Sequence, residues 1–319
     1  MKIKKKDLEI LYQLDKNCRV PQTILSKKLK ISRQTLNQRI KMLENEKIIY
    51  GYYLFLNIDI FNLITYRIYF KLQNISLEQQ NKIISYLKKS KASTTISCQG
   101  KYNINIMYQA KNTQELHLFL SDIKSKFSKQ IKEYKINNFV ELSFCPRAYL
   151  INKTENTENY IVLGEKLEYK LKEDEIKLLN YLSKDASITK VKLSKELKFD
   201  LKKTSQIIRN LEKNKVIKGY KAFIDIRKLG YNSYKLFIDF KTLDNEKLKR
   251  FKDFCIAYPN IIYIDIPLGE SDIEISVEIE ASKFSEFIDY LRSKFKDIIK
   301  DIDYIEYLKE YKNDYIPKN

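Results

Sequence analysis

Arg33, Gln34, Asn37, Gln38 and Lys41 fall at the spacing of one helix and carry the most legible chemistry in this 319-residue sequence. An arginine guanidinium can pair with guanine O6 and N7, and a Gln or Asn carboxamide with adenine N6 and N7, in a major groove wide enough to admit a helix. Lysines serve phosphates, which fix position without reading sequence; Lys4, Lys5, Lys6, Lys27, Lys28 and Lys30 lie nearby in the chain. Lys202, Lys203, Gln206 and Arg209 form a second set of the same kind. Catalytic chemistry is sparse by comparison. The sole histidine, His117, stands between Leu116 and Leu118, and Cys18, Cys98, Cys145 and Cys255 are scattered. Zinc sites need clustered ligands, so the cysteines read as reduced, buried thiols. From these residues the chain is expected to use no metal and no cofactor, and not to be an enzyme.

Apolar periodicity supplies the elements that would present the first set. Leu8, Ile10, Leu11 and Leu14 mark one helix. Pro21 favours the start of a second, lined by Ile24, Leu25 and Leu29. Ile31 fills the turn, Ser32 is a good N-cap, and Leu36, Ile40 and Leu43 face a third helix toward a core. Two short helices joined by a tight turn, the second exposing Arg, Asn and Gln near its N-terminus, fit a helix-turn-helix.

The pattern occurs twice. Gln38, Ile40 and Leu43-Glu44 recur as Gln206, Ile208 and Leu211-Glu212, and Gly51-Tyr52 as Gly219-Tyr220, an offset of 168 residues (219 − 51). The same offset pairs Leu25-Ser26-Lys27 with Leu193-Ser194-Lys195, and later Leu116 and Phe119 with Phe284 and Phe287. A whole two-part unit is therefore duplicated. The copies differ in charge. Residues 1–150 hold 27 Lys and Arg against 11 Asp and Glu, a balance of +16 within the total of +19. Such a concentrated positive field suits a polyanion. In copy two Asp200 replaces Ser32 as the cap, Leu201 replaces Arg33, and Lys172-Glu-Asp-Glu175 sets acids at the positive end of its first helix.

After each helical part the period becomes strand-like. Strands are expected at 65–71, 94–98, 104–109 and 133–144, with helices at 77–89 and 114–129; copy two repeats the order. This β-α-β-β-α-β order is ferredoxin-like. The fold class is thus α+β, two winged-helix-like helix-turn-helix domains (1–52 and 169–220) alternating with two ferredoxin-like domains (53–150 and 221–319), across a polar linker at 151–168. Turns at Gly100 to Asn103 and Gly269 to Asp272 join the middle strands. No run reaches the roughly 18 apolar residues of a membrane span, and acids interrupt the basic start before a signal-peptide core forms. A soluble, cytoplasmic protein with no membrane partner is expected.

The run from Asn17-Cys-Arg-Val20 through Leu25 to Glu44 and on to Ile48-Ile-Tyr-Gly-Tyr52 resembles the N-terminal domain of the Lrp/AsnC (leucine-responsive, feast/famine) regulators, and the glycine turns resemble that family's effector and oligomerisation domain. The resemblance covers both copies. It implies a transcription regulator that binds double-stranded DNA, assembles through its α+β domains and, in some members, answers to an amino acid near Gly100, Asn103, Gly269 and Asp272. The usual turn aspartate is Asn103 in copy one. Alternatives are a sequence-tolerant architectural DNA-binding protein and a tetrapyrrole-pathway decarboxylase on a similar scaffold, the latter disfavoured by the single histidine. Within one chain the two sheets are expected to pack face to face as a pseudo-dimer, through Tyr66, Ile68 and Phe70 against Tyr234, Leu236 and Ile238.

Overall fold

A computed structural model describes residues 3–154, 160–242 and 244–313; residues 155–159 of the expected linker lie outside the described residues. Copy one runs α1 (Lys5–Lys16), α2 (Gln22–Leu29), α3 (Arg33–Asn45), β1 (Ile49–Leu56), β2 (Ile64–Leu72), α4 (Leu77–Lys89), β3 (Thr94–Gly100), β4 (Ile104–Ala110), α5 (Thr113–Phe127) and β5 (Ile131–Phe144). A short strand, β6 (Ile161–Leu163), lies within the expected linker. Copy two runs α6 (Glu173–Lys184), α7 (Lys190–Leu197), α8 (Leu201–Lys213), β7 (Ile217–Ile224), β8 (Asn232–Phe240), α9 (Asn245–Ala257), β9 (Ile261–Leu268), β10 (Ile273–Ile279), α10 (Phe284–Lys294) and β11 (Ile299–Asn313). No helix among the described residues is long and apolar enough to cross a membrane.

The copies do not fold one after the other. One compact unit draws on Met1–Ile60, Cys145–Gly230 and Ala257–Asn260, and so gathers both helical parts; the other draws on Phe61–Phe144, Tyr231–Ile256 and Ile261–Asn319, and so gathers both α+β parts.

In the first unit β1 and β7 pair antiparallel, with Tyr53 opposite Lys221. These two residues are equivalents at the offset of 168 (221 − 53), so the pairing is centred on a pseudo-twofold axis. Hydrogen bonds beyond the strands keep the symmetry. Cys18 N donates to Tyr220 O at 3.1 Å and its equivalent Ala186 N to Tyr52 O at 3.2 Å; Asn57 N donates to Val216 O and Asp225 N to Ile48 O. The helix-turn-helix boundaries expected at residues 52 and 220 fall inside β1 and β7, because each strand continues through Gly-Tyr to reach its partner. The axis pair itself is unlike. Lys221 is buried with Asp15 and Arg147, Arg147 Nη1 at 2.5 Å and Lys221 Nζ at 3.3 Å from Asp15 Oδ1. Burial alone would raise the Asp15 carboxyl, but Lys221 and Arg147 outweigh it and hold it below the usual carboxylate range. Burial pulls Lys221 down, which Asp15 only partly offsets.

In the second unit the strands run β2-β4-β3-β11-β8-β10-β9-β5, and β5 pairs back onto β2. Each copy contributes a four-stranded ferredoxin-like sheet, and edge pairing of β3 with β11 and β5 with β9 closes the ring. Closure gives the outer strand of each four-stranded sheet a partner in the other, covering edges that would otherwise template aggregation.

The side of each sheet expected to meet the other sheet is reversed. Tyr66, Ile68 and Phe70 pack with Ile83, Ile84, Leu87, Leu116, Leu120 and Ile123 of α4 and α5. Tyr234 likewise stacks on Phe284 of α10, ring centroids 3.7 Å apart. Strand alternation then sends Arg67, Tyr69, Lys235 and Phe237 to the interior of the ring. There Lys235, Asp265 and Glu274 are fully buried; Lys235 pairs with Asp265 and lies 2.8 Å from Glu274, which accepts from Tyr69 Oη at 2.7 Å. Two cations and two carboxylates, counting Arg67 at 3.5 Å from Asp265, thus neutralise one another inside the ring.

The Asp15 arrangement gives a signed test. A carboxyl held low contributes stability above its unfolded value and loses it as pH falls through the folded value. Asp15→Asn is expected to cost about 3–5 kcal/mol near neutral pH, by stranding two buried cations; the gap from wild type is expected to begin narrowing below about pH 4 and to close only as pH falls through the lower folded value. Urea denaturation across pH reads both; a gap independent of pH would contradict the assignment.

Candidate nucleic-acid interface

The two helix-turn-helix units are built alike from local rules. Ser32 Oγ accepts from Thr35 N at 3.0 Å to start α3, and Asp200 Oδ1 accepts from Lys203 N at 2.7 Å to start α8. The turns before them close through Lys30 and Lys198, both left-handed with φ of 54° and 55°. Leu25, Leu29, Leu36 and Leu43 bury the inner face of copy one, and Leu193, Ile208 and Leu211 that of copy two.

With a core fixed at Leu36 and Leu43, steps of about 100° per residue decide what points outward. Arg33, Gln34, Gln38 and Lys41 are exposed on α3. Asn37, expected among them, is half-buried, and its Oδ1 is enclosed with no hydrogen-bond partner among the described residues. One step on from Leu36, it sits at the boundary of the core face. On α8 Lys202, Lys203, Gln206 and Arg209 are exposed, but Lys203 is not free: its Nζ lies 2.7 Å from Asp174 Oδ2 and 4.2 Å from the Phe199 ring centre. In copy one the comparable flank holds Arg39 paired to the buried Asp7 at 2.7 Å.

The glycine turns lie in the other unit and fasten strands. Asn103 Oδ1 accepts from Leu72 N at 2.9 Å, and Asp272 Oδ2 accepts from the equivalent Phe240 N at 2.7 Å. Either side chain needs only to accept, which explains why Asn and Asp serve alike. Gly100 has φ of +112°, and a Cβ there would lie 2.6 Å from Tyr304 O; at Gly269 it would lie 2.7 Å from Ile136 O. Around the two turns Glu270 accepts from Tyr102 Oη at 2.7 Å and pairs with Lys101 at 3.0 Å. Burial opposes the charge on Glu270, but Tyr102 and Lys101 hold its carboxyl below the usual range. Sequence reading missed Lys101 and Glu270, although they follow the glycines directly. All four cysteines are buried, and burial pushes the Cys18 thiol up to about 12.

Comparison with known proteins divides along the same lines. A family model described as winged helix-turn-helix DNA-binding matches residues 3–50 and 174–218, the helical part of each copy. None of the curated proteins compared matches the sequence. Among solved structures, the siroheme decarboxylase NirDL aligns over 98% of this chain and 94% of its own, with a TM-score of 0.63 at 11% identity. A transcriptional regulator from Neisseria meningitidis, solved with L-Met, aligns over 46% of this chain and 94% of its own at 20% identity, TM-score 0.42. An AsnC family regulator from Agrobacterium tumefaciens covers 45% and 94% at 19% identity, TM-score 0.41. The chain therefore has the fold of tandem winged helices and ferredoxin-like sheets seen along the length of NirDL. The expectation that it is not an enzyme is overturned by this match, since the whole architecture is one on which a decarboxylase is built.

The turn geometry predicts that Asn103→Asp leaves stability within about 0.5 kcal/mol of wild type, while Asn103→Leu costs about 1–3 kcal/mol by orphaning Leu72 N. Thermal unfolding of both variants checks this. Equal losses would mean that the amide does more than accept.

Proposed function

We propose that the chain is a DNA-binding transcription regulator of Lrp/AsnC type, with α3 as its base-reading helix in the major groove. The observation that carries this reading is the exposed set Arg33, Gln34, Gln38 and Lys41 on a capped helix within a winged helix-turn-helix. Arginine and glutamine are the side chains that pair bidentately with purine edges. Lys4 and Lys5, exposed at the start of α1, supply cations for phosphates. Assembly through the α+β unit and an amino-acid effector near its glycine turns belong to the same proposal.

A second reading, decarboxylation of a tetrapyrrole, is favoured by the full-length likeness to NirDL, one structure of which is a co-complex with an iron-uroporphyrin III analogue. Against it stands the chemistry of the chain: its one imidazole, His117, is exposed on α5 beside Ser121 at 3.4 Å. Visible absorbance after mixing with iron-uroporphyrin separates the two readings.

Selection of bound duplexes from a random pool tests the first. Arg33→Ala or Gln38→Ala is expected to cost about 1–3 kcal/mol on the selected site and to relax base preference there. Equal losses on selected and random DNA would favour the sequence-tolerant architectural alternative. No binding to either at low salt would remove the reading.

A further inference from the structure

The pairing of β1 with β7 mounts α3 and α8 equivalently, so any difference in their hold on DNA comes from side chains. The outward stripes are comparable: Gln34, Gln38 and Lys41 on α3 stand where Lys202, Gln206 and Arg209 stand on α8. The flanks are opposite in sign. The first turn beside α3 carries Lys4, Lys5 and Lys6, while the equivalent turn beside α8 carries Lys172, Glu173 and Asp174. Asp174 engages Lys203, and these acids form one wall of an open cleft of about 500 Å³ whose other wall includes Gln206 and Asn210 of α8. Leu201, half exposed, stands where copy one has Arg33. A helix lying in the major groove has phosphates along both flanks, so carboxylates there repel the backbone and neutralise the lysine that would hold it.

We infer that the chain grips DNA through copy one alone, and that Glu173 and Asp174 are the specificity determinants that keep copy two off the duplex. This rests on the DNA-binding reading above. The recognised site is then a single half-site, not the inverted repeat that two equivalent mounts would otherwise select.

The test compares wild type with the double variant Glu173→Lys, Asp174→Lys, which copies Lys5 and Lys6 of copy one onto a turn where Glu173 is exposed and Asp174 half-buried. Probes are duplexes carrying one selected half-site or two in inverted repeat. For wild type, the second half-site is expected to change affinity less than about threefold, with a footprint of one half. For the variant, the repeat is expected to bind on the order of tenfold more tightly than the single site, and its log-log salt slope to steepen by about two units. Its footprint is expected to lengthen by about one helical turn, some 10 base pairs. A wild-type footprint covering both halves, or a variant indistinguishable from wild type, would overturn the inference while leaving DNA binding intact. Failure of wild type to bind any duplex would overturn the parent reading instead.

Discussion

The antiparallel pairing of β1 with β7 is the constraint on which the first unit depends. Two winged helices of modest size, each with a single small core, gain a shared ladder by extending one strand into the other copy. The ladder fixes the mount of α3 and α8, because α3 runs through a short turn into β1, and α8 into β7. Matched bonds from Cys18 and Ala186 to Tyr220 and Tyr52 lock each first helix to the opposite strand. A duplicated chain can do what a homodimer cannot, which is to place different residues at the axis. Tyr53 and Lys221 occupy that position, and Lys221 uses it to pair with Asp15.

The second unit solves a different problem. Two ferredoxin-like sheets, each covered by helices on one side, must dispose of their other face and their edges. Edge pairing closes the ring, and the inner face is filled by an aromatic group, Tyr69, Tyr102 and Phe237, together with a neutral set of buried ions. Buried ion pairs are costly to desolvate and give little net stability. What they impose is register, since slipping any of these strands by one residue would turn Arg67 or Lys235 into the apolar layer beneath the helices.

Much of this was legible in the sequence. The repeat at a constant offset marks the duplication, and the shift from helical to alternating periodicity places the helices and sheet strands of the first α+β part to within about two residues. The wing strand β1 is not marked by periodicity, because Ile49 to Leu56 is apolar almost throughout, with no alternation to signal a half-buried strand. The inward face of β2 is the opposite of the one expected, for a physical reason. Tyr66, Ile68 and Phe70 are the more apolar set, and burial favours apolar faces meeting one another. The helices claim them instead, and the charges go inward where an opposite charge waits. The recurrence of a cation at Arg67 and Lys235 within otherwise apolar strands was the available signal. In the candidate interface, the exposure of Arg33, Gln34, Gln38 and Lys41 could be read from spacing, whereas the pairing of Lys203 with Asp174, between α8 and α6, could not.

Function then turns on whether the polar stripe of α3 touches base edges. Removing purine N7 atoms one at a time from the selected duplex, by 7-deazapurine substitution, measures this most directly when wild type is compared with Arg33→Ala. At least one purine is expected whose N7 loss weakens wild-type binding by about 1–3 kcal/mol and has no further effect in Arg33→Ala. Identical sensitivities in the two proteins, or none at any purine, would contradict it.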